Sequence, residues 1–271
     1  MLKKPDIIFI DLDGTTLDQK KSKNNLISQY NKTIISQLQK KNIKVIISTG
    51  RGMLEKTFNI NKELNLEKNI IFWNGSKVML NDEIIFDKTL DKSIFKEIIN
   101  LAQKYKILSI INSDFKNQTY SNNFWHKFSF LFLKHNLNKY DQINFNLAVY
   151  KIIFWHFSKR KLNNFYKLLK QYFDIKITAV FSGKNNSIIE VTAEKCTKGE
   201  AEILICQKLN INPQNCWHVG DTLNDLTTKN KIGKLIAMKN SNKTLKQNAD
   251  FISKYNYKKG GLGKTLKELI D

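Results

Sequence analysis

The sequence predicts an α/β protein, a doubly wound parallel sheet with a second, α+β layer set into it. Three observations carry that prediction. Short apolar runs alternate with helix-period segments at both ends of the chain, the pattern of strands buried beneath covering helices. Acidic or hydroxyl-bearing turns follow directly on several of these runs, where an open parallel sheet places its ligands. The middle breaks the alternation with a hairpin and with strands and helices of its own. At 271 residues the chain is one large domain or two modest ones. That length buries a core without a disulfide or metal staple.

In chain order, Ile7–Ile10 is the first strand. Asn24–Lys41 follows as a helix, with Leu26, Ile27, Tyr30, Ile34, Ile35 and Leu38 on one face. Lys44–Ser48 is a strand, Met53–Leu64 a helix and Ile70–Trp73 a strand, which completes βαβαβ. Val78–Leu80 and Glu83–Phe86 flank Asn81-Asp82 as a hairpin. Ile94–Tyr105 reads as helix, Ile107–Ile111 as strand, and Phe124–Leu133 as an aromatic-rich stretch of core or interface. Lys151–Phe157, Lys161–Phe173 and Ile175–Phe181 read as strand, helix and strand. The alternation then returns. Thr197–Leu209 is a helix, Cys216–Val219 and Leu235–Met238 are strands, and Asn242–Asn248 and Leu262–Ile270 are helices. The strands and helices of the middle make an α+β layer of their own, with no Pro/Gly-rich linker at its joints.

The charge balance is 45 Lys+Arg against 24 Asp+Glu, a net +21. Hydrophobic residues at 41% exclude intrinsic disorder despite that charge. A basic chain suggests nucleic acid, because displaced counterions reward phosphate contacts. Yet only Arg51 and Arg160 are arginine, and bidentate readout of bases and phosphates favours Arg. Lys, Asn and Ile are abundant together, as AT-rich codons dictate, so the charge reads as drift and argues against a dedicated nucleic-acid surface. Cys196, Cys206 and Cys216 lie ten apart, which fits neither a disulfide framework nor a metal knuckle; reduced, buried thiols are expected. The run Ile7–Ile10 stops at Asp11, short of a signal-peptide core, and Phe128–Leu133 is too short to span a bilayer. A cytoplasmic protein without a membrane partner is the expectation.

The strongest local signal is Asp11-Leu12-Asp13-Gly14-Thr15, directly after the first strand. Two carboxylates at a strand exit repel each other unless a divalent cation or a proton intervenes. Gly14 permits a sharp exit. Ser48-Thr49-Gly50-Arg51 places a hydroxyl and backbone amides at a second strand end and helix start, a phosphate-binding arrangement. Gly220-Asp221-Thr222-Leu223-Asn224-Asp225 is acidic at a third exit. Lys198 opens a helix whose Thr197-x-x-Glu200 suits a capping box. Taken singly, each reads equally as a solvated turn, a cap or a surface lysine. Together they gather carboxylates, a hydroxyl and an ammonium at one sheet edge, a set suited to Mg²⁺-assisted phosphoryl transfer.

This order of motifs resembles the haloacid dehalogenase-like phosphatases, most closely their Cof-type branch with a large α/β cap. The resemblance implies a Rossmann-like core of residues 1–82 and 188–271, an inserted cap of residues 83–187 that closes over the site and chooses the substrate, and hydrolysis of a small phosphorylated metabolite. It implies Asp11 as nucleophile, forming an aspartyl-phosphate, and Asp13 as general acid and base with a raised pKa. Thr49 and Lys198 would hold the phosphoryl group. Asp221 would bind Mg²⁺ with Asp11 and the main-chain carbonyl of Asp13; Asn224 and Asp225 would support the metal shell and orient Lys198. Gly50, Arg51, Asn74 and Gly75 would lie near the substrate. Thr16 stands where the family often has Leu, Thr228 where it often has Met, and Lys239 replaces Gly in Ala237-Met238-Lys239-Asn240. Two alternatives remain at this level: a phosphomutase of the same superfamily, and a basic protein binding RNA or an acidic partner. Gly263-Lys264-Thr265 lacks the earlier glycine of a P-loop. His126, His135, His156 and His218 show no metal spacing, and His218 reads as a packed or supporting residue.

Overall fold

The computed structural model describes residues 4–19, 26–126 and 137–270. Within it the chain divides into two compact units, residues 1–86 with 197–271, and residues 87–196.

The first unit is built on β1 (Ile7–Ile10), β2 (Lys44–Ser48), β3 (Ile70–Phe72), β4 (Lys77–Leu80) and β5 (Glu83–Asp87). The second holds β6 (Leu108–Ile111), β7 (Thr119–Tyr120), β8 (Lys151–Trp155), β9 (Ile177–Ser182) and β10 (Ile188–Ala193). The chain then returns to the first unit with β11 (Cys216–Gly220), β12 (Lys234–Ala237) and β13 (Phe251–Ile252). The first sheet runs β13-β12-β11-β1-β2-β3-β4-β5. It is parallel from β13 to β3, and β4 joins β3 antiparallel. β1 lies at its centre, and all four of its residues are fully buried. A continuous apolar run is what a strand covered on both faces requires. Ile7 and Phe9 pack with Ile46, Ile71, Ala201 and Ile205 beneath the helix Lys198–Lys208. The helices Gln29–Lys40 and Gly261–Ile270 pack on one another, tied by the Gly263 N–H to Asn31 Oδ1 at 2.8 Å.

The second sheet, β7-β6-β8-β10-β9, is antiparallel throughout, as an α+β layer should be. Phe165 of the helix Lys159–Phe173 meets Phe154 of β8 at 4.9 Å between ring centroids. Lys151 and Glu190 form a buried ion pair at 2.8 Å.

Several sequence boundaries shift. The breaks anticipated after residues 82 and 187 fall after 86 and 196. β5 pairs onto the first sheet as its edge, and β10 pairs with both β8 and β9, so neither can change units. Asn81 and Asp82 adopt φ of 52° and 68°, the left-handed pair of a two-residue hairpin. The helix expected over Asn24–Lys41 is Gln29–Lys40, capped by Ser28; residues 24 and 25 lie outside the described residues. The helix after β2 begins at Glu55, so Thr49 to Arg51 sit in a loop and not at a helix start. Phe128–Leu133 and His135 also lie outside the described residues. All three cysteines are buried and free, with Cys206 and Cys216 sulfurs 3.5 Å apart. Among the described residues no helix is long and apolar enough to cross a membrane.

Candidate active site

Every candidate side chain belongs to the first unit and stands at the carboxyl end of β1, β2, β3 or β11, or on the helix that starts at Lys198. Asp11 follows β1, its N–H bonded to the Val219 carbonyl at 3.0 Å. The Thr16 hydroxyl donates to the Asp11 carbonyl, and the Thr16 carbonyl accepts from Asn31 Nδ2. Gly14 turns the chain at φ 83°, and a Cβ there would lie 2.2 Å from Asp221 Oδ2. Only glycine lets this turn lie against Asp221.

At the centre, Lys198 Nζ donates to Asp11 Oδ1 and to Asp225 Oδ1, each at 2.6 Å, with Lys198 fully buried. Asp225 Oδ1 also accepts from His218 Nε2 at 2.9 Å, and its Oδ2 accepts the Asp221 and Thr222 N–H groups at 2.9 Å each. Its acceptor capacity is thus filled. Carboxylate oxygens of Asp11, Asp221 and Asp225 lie within 4.8 Å of one another. Asp221 Oδ1 is buried with no hydrogen-bond partner, while Oδ2 accepts from Asn240 Nδ2 at 3.2 Å.

The electrostatics follow from burial. Desolvation raises Asp11 to about 7 against the pull of Lys198. Asp221 rises to about 9 through burial and then through the charges of Asp11 and Asp225. Burial also opposes ionisation of Asp225, but Lys198 and His218 outweigh it and hold that carboxylate below its ordinary range. Burial opposes the charge on Lys198, yet Asp11 and Asp225 keep the ammonium above its ordinary value. Two carboxylates are therefore short of positive charge, and one holds an orphaned buried oxygen. Hard oxygen donors in that state fit a hard divalent cation such as Mg²⁺, with Asp11 and Asp221 free to ligate and Asp225 already committed.

Asp13 is 61% exposed at its side chain and takes both arms of Arg51, Nε to Oδ2 and Nη2 to Oδ1, at 2.6 Å each. Such a bidentate, charge-assisted fork ties the β1 exit to the β2 exit. Thr49 is buried; its hydroxyl accepts the Arg51 N–H at 3.1 Å, and its carbonyl accepts the Asn74 N–H at 3.0 Å. Gly50 lies between Thr49 and Arg51 on this loop. Asn74, at φ 57°, accepts from Asn224 Nδ2 at 3.1 Å, which joins the β3 and β11 exits. Gly75, at φ 100°, has the Thr197 carbonyl where a Cβ would sit, at 2.3 Å. Its visible task is to let the Lys198 helix approach. Thr197 caps that helix by accepting the Glu200 N–H at 3.1 Å. The Glu200 carboxylate pairs with Lys231 and does not close the expected box.

Residues 8–266 match the haloacid dehalogenase-like hydrolase family. The chain belongs to this family. Two Bacillus subtilis relatives are named 5-amino-6-(5-phospho-D-ribitylamino)uracil phosphatase. YwtE is 28% identical over 282 residues, covering 93% of this chain and 94% of its own length. YcsE is 25% identical over 255 residues, covering 94% and 92%. A solved haloacid dehalogenase-like hydrolase from B. subtilis superposes with a TM-score of 0.79 at 22% identity, over 98% of this chain and all of that one, and shows the shared fold.

Family motifs did not reveal everything at the site. Asn240, kept in the Ala-Met-x-Asn stretch, donates to the Gly14 carbonyl at 2.9 Å as well as to Asp221, so it clamps two motif turns. Thr228, in place of the family's frequent Met, donates to the Asp225 carbonyl at 2.8 Å. Ser48, Glu202 and His218 form a buried polar chain behind Asp225. No local spacing announces them, because 154 residues separate Ser48 from Glu202.

Proposed function

We propose that this haloacid dehalogenase-like hydrolase is a Mg²⁺-dependent phosphatase that releases phosphate from a small phosphorylated metabolite through an aspartyl-phosphate on Asp11. The observation that carries this reading is the buried Lys198 ammonium shared between Asp11 and Asp225 at 2.6 Å, with Asp221 alongside. A phosphate dianion approaching Asp11 meets like charge. Lys198 offsets it, and Mg²⁺, which Asp11, Asp221 and the Asp13 carbonyl would hold, would neutralise the remaining repulsion.

In the first step an Asp11 oxygen bonds to phosphorus as the ester P–O bond breaks, and Asp13 gives its proton to the leaving oxygen. In the second, Asp13 takes a proton from water, whose oxygen attacks phosphorus and frees Asp11. Arg51 joins Asp13 to the substrate: phosphoryl oxygens compete for its bidentate fork, and the exchange frees the Asp13 carboxyl for proton transfer. Thr49 and the Gly50 amide line the phosphoryl side, and Asn74 the substrate side. Asn224 and Asp225 support the metal ligands. Residues 87–196 act as the cap that selects the substrate. The two Bacillus relatives support a phosphorylated ribityl compound as one member of the panel. Identity of 25–28% supports the reaction class and leaves the substrate to be measured.

The test is phosphate release from phosphorylated sugars, nucleotides, ribityl compounds and cofactor phosphates, with Mg²⁺ and with EDTA. Turnover of at least one, lost with EDTA and lost in a folded Asp11→Asn variant, is the expected result. Silence across the panel from folded protein, or an active Asp11→Asn, would overturn it. RNA binding that falls with salt and survives Asp11→Asn would mark the binding-protein alternative.

A further inference from the structure

Behind Asp225 lies a chain of buried polar groups in which Glu202 and His218 stand outside the phosphatase motifs. Ser48 Oγ donates to Glu202 Oε1 at 2.7 Å, His218 Nδ1 meets the same oxygen at 2.7 Å, and His218 Nε2 meets Asp225 Oδ1 at 2.9 Å. All four side chains are buried, with Glu202, His218 and Asp225 at zero exposure. Both ring nitrogens of His218 face carboxylate oxygens, which only accept, so both must donate and the ring is an imidazolium. The groups come from separate elements: Ser48 ends β2, Glu202 lies one turn after Lys198 on the same helix, and His218 sits in β11.

This arrangement bears on Lys198. A lysine side chain is a point charge on a flexible stem and needs fixed partners to aim it. Its partner Asp225 is held at Oδ2 by two loop amides, and at Oδ1 it divides its charge between Lys198 and His218. The imidazolium therefore takes part of the attraction that would otherwise draw the ammonium toward Asp225. That leaves Lys198 centred between Asp225 and Asp11, facing the phosphoryl position. Glu202 fixes the ring and balances its charge.

We propose that Glu202 and His218 are positioning residues for Lys198, acting through Asp225. The proposal rests on the reading of Lys198 as the phosphoryl-binding group.

The test uses two paired variants of the full chain, since either single change strands a buried charge and endangers folding. Glu202→Leu with His218→Leu removes the pair and keeps an apolar core. Glu202→Gln with His218→Gln removes the charges and keeps an amide donor beside Asp225. Melting temperature, kcat, KM and calorimetric binding of orthovanadate with Mg²⁺ are measured for each. The expected result is a leucine pair that melts near the parent, with kcat and vanadate affinity both down about 10–100-fold, as for supporting residues around metal sites, and KM little changed. The glutamine pair recovers part of both. Parental kcat and vanadate binding in both pairs would overturn the proposal, as would losses that only follow the unfolded fraction. Should the parent hydrolyse nothing while the leucine pair still weakens vanadate, the phosphatase reading fails and the positioning role stands.

Discussion

Replacing Lys198 with methionine removes one buried charge and keeps most of the side chain's volume. The ammonium touches two carboxylates at 2.6 Å and has no exposure. At that distance and an effective dielectric constant of about 20, each contact carries about 6 kcal/mol of Coulomb energy. Desolvation of the three groups offsets much of this, and removing one partner of a buried ion pair costs about 3–5 kcal/mol net. For a unit of about 160 residues, each kcal/mol moves the melting temperature by about 2–4 °C, so the core transition should fall by roughly 6–20 °C. Scanning calorimetry in EDTA reads this directly, with the exposed Lys208→Met as control. The deficit should be smaller in acid, where Asp11 and Asp221 can take protons in place of the missing cation. A Lys198→Met core that melts within about 2 °C of the parent, like a surface substitution, would refute the assignment of Lys198 as the charge that holds this site together.

Three further outcomes follow from the same geometry. Asp11 at about 7 and Asp221 at about 9 both lie above the ordinary 3.8, so their protonation stabilises the metal-free core fully below about pH 4 and is lost as pH rises through 7 and then 9. Mg²⁺ needs them ionised; its stabilising shift in thermal melts should be larger near about pH 8.5 than near about pH 5.5, and equal shifts would refute the ligand assignment. Gly14→Ala should cost about 1–2 kcal/mol for its left-handed backbone and abolish Mg²⁺-induced stabilisation, because the new Cβ must displace Asp221; a parental Mg²⁺ response would contradict this. Asn240→Ala should weaken Mg²⁺ about tenfold in calorimetric titration through the loss of its bond to Asp221, with little change in melting temperature in EDTA; unchanged affinity would remove Asn240 from the site.

What could be read in the sequence is what local patterning encodes. Ile7–Ile10 is buried through its length and Lys44–Ser48 everywhere but Lys44, so they read as central strands, and the polar residues just beyond them read as a site. The Asn81-Asp82 hairpin was legible for the same reason, since its geometry is set by two residues. Edges were harder. Glu83–Asp87 is largely exposed, and only its pairing shows that it closes the first sheet and does not begin the insert. The Asp13–Arg51 fork and the Glu202–His218 pair were invisible, because each joins residues that the topology brings together across strands. Motif position puts Gly75 near the substrate; its backbone adds a packing demand set by Thr197, which no one-dimensional pattern contains.

The central place of β1 governs when this protein can finish folding. β1 pairs with β2 on one side and with β11 on the other, although β11 begins at Cys216. At about 5–20 residues per second of synthesis, β11 leaves the ribosome roughly 10–40 s after β1. Until then this wholly apolar strand has an open edge, a template for pairing with other nascent chains. The segment 87–196, contiguous and antiparallel, can close on itself during that wait. Asp11 and Lys198 meet only after the insert has been made, so no truncated nascent chain ending before Thr197 can carry the assembled charge cluster. Abundant lysine on the waiting chain would keep such chains apart by repulsion, a service the folded enzyme no longer needs.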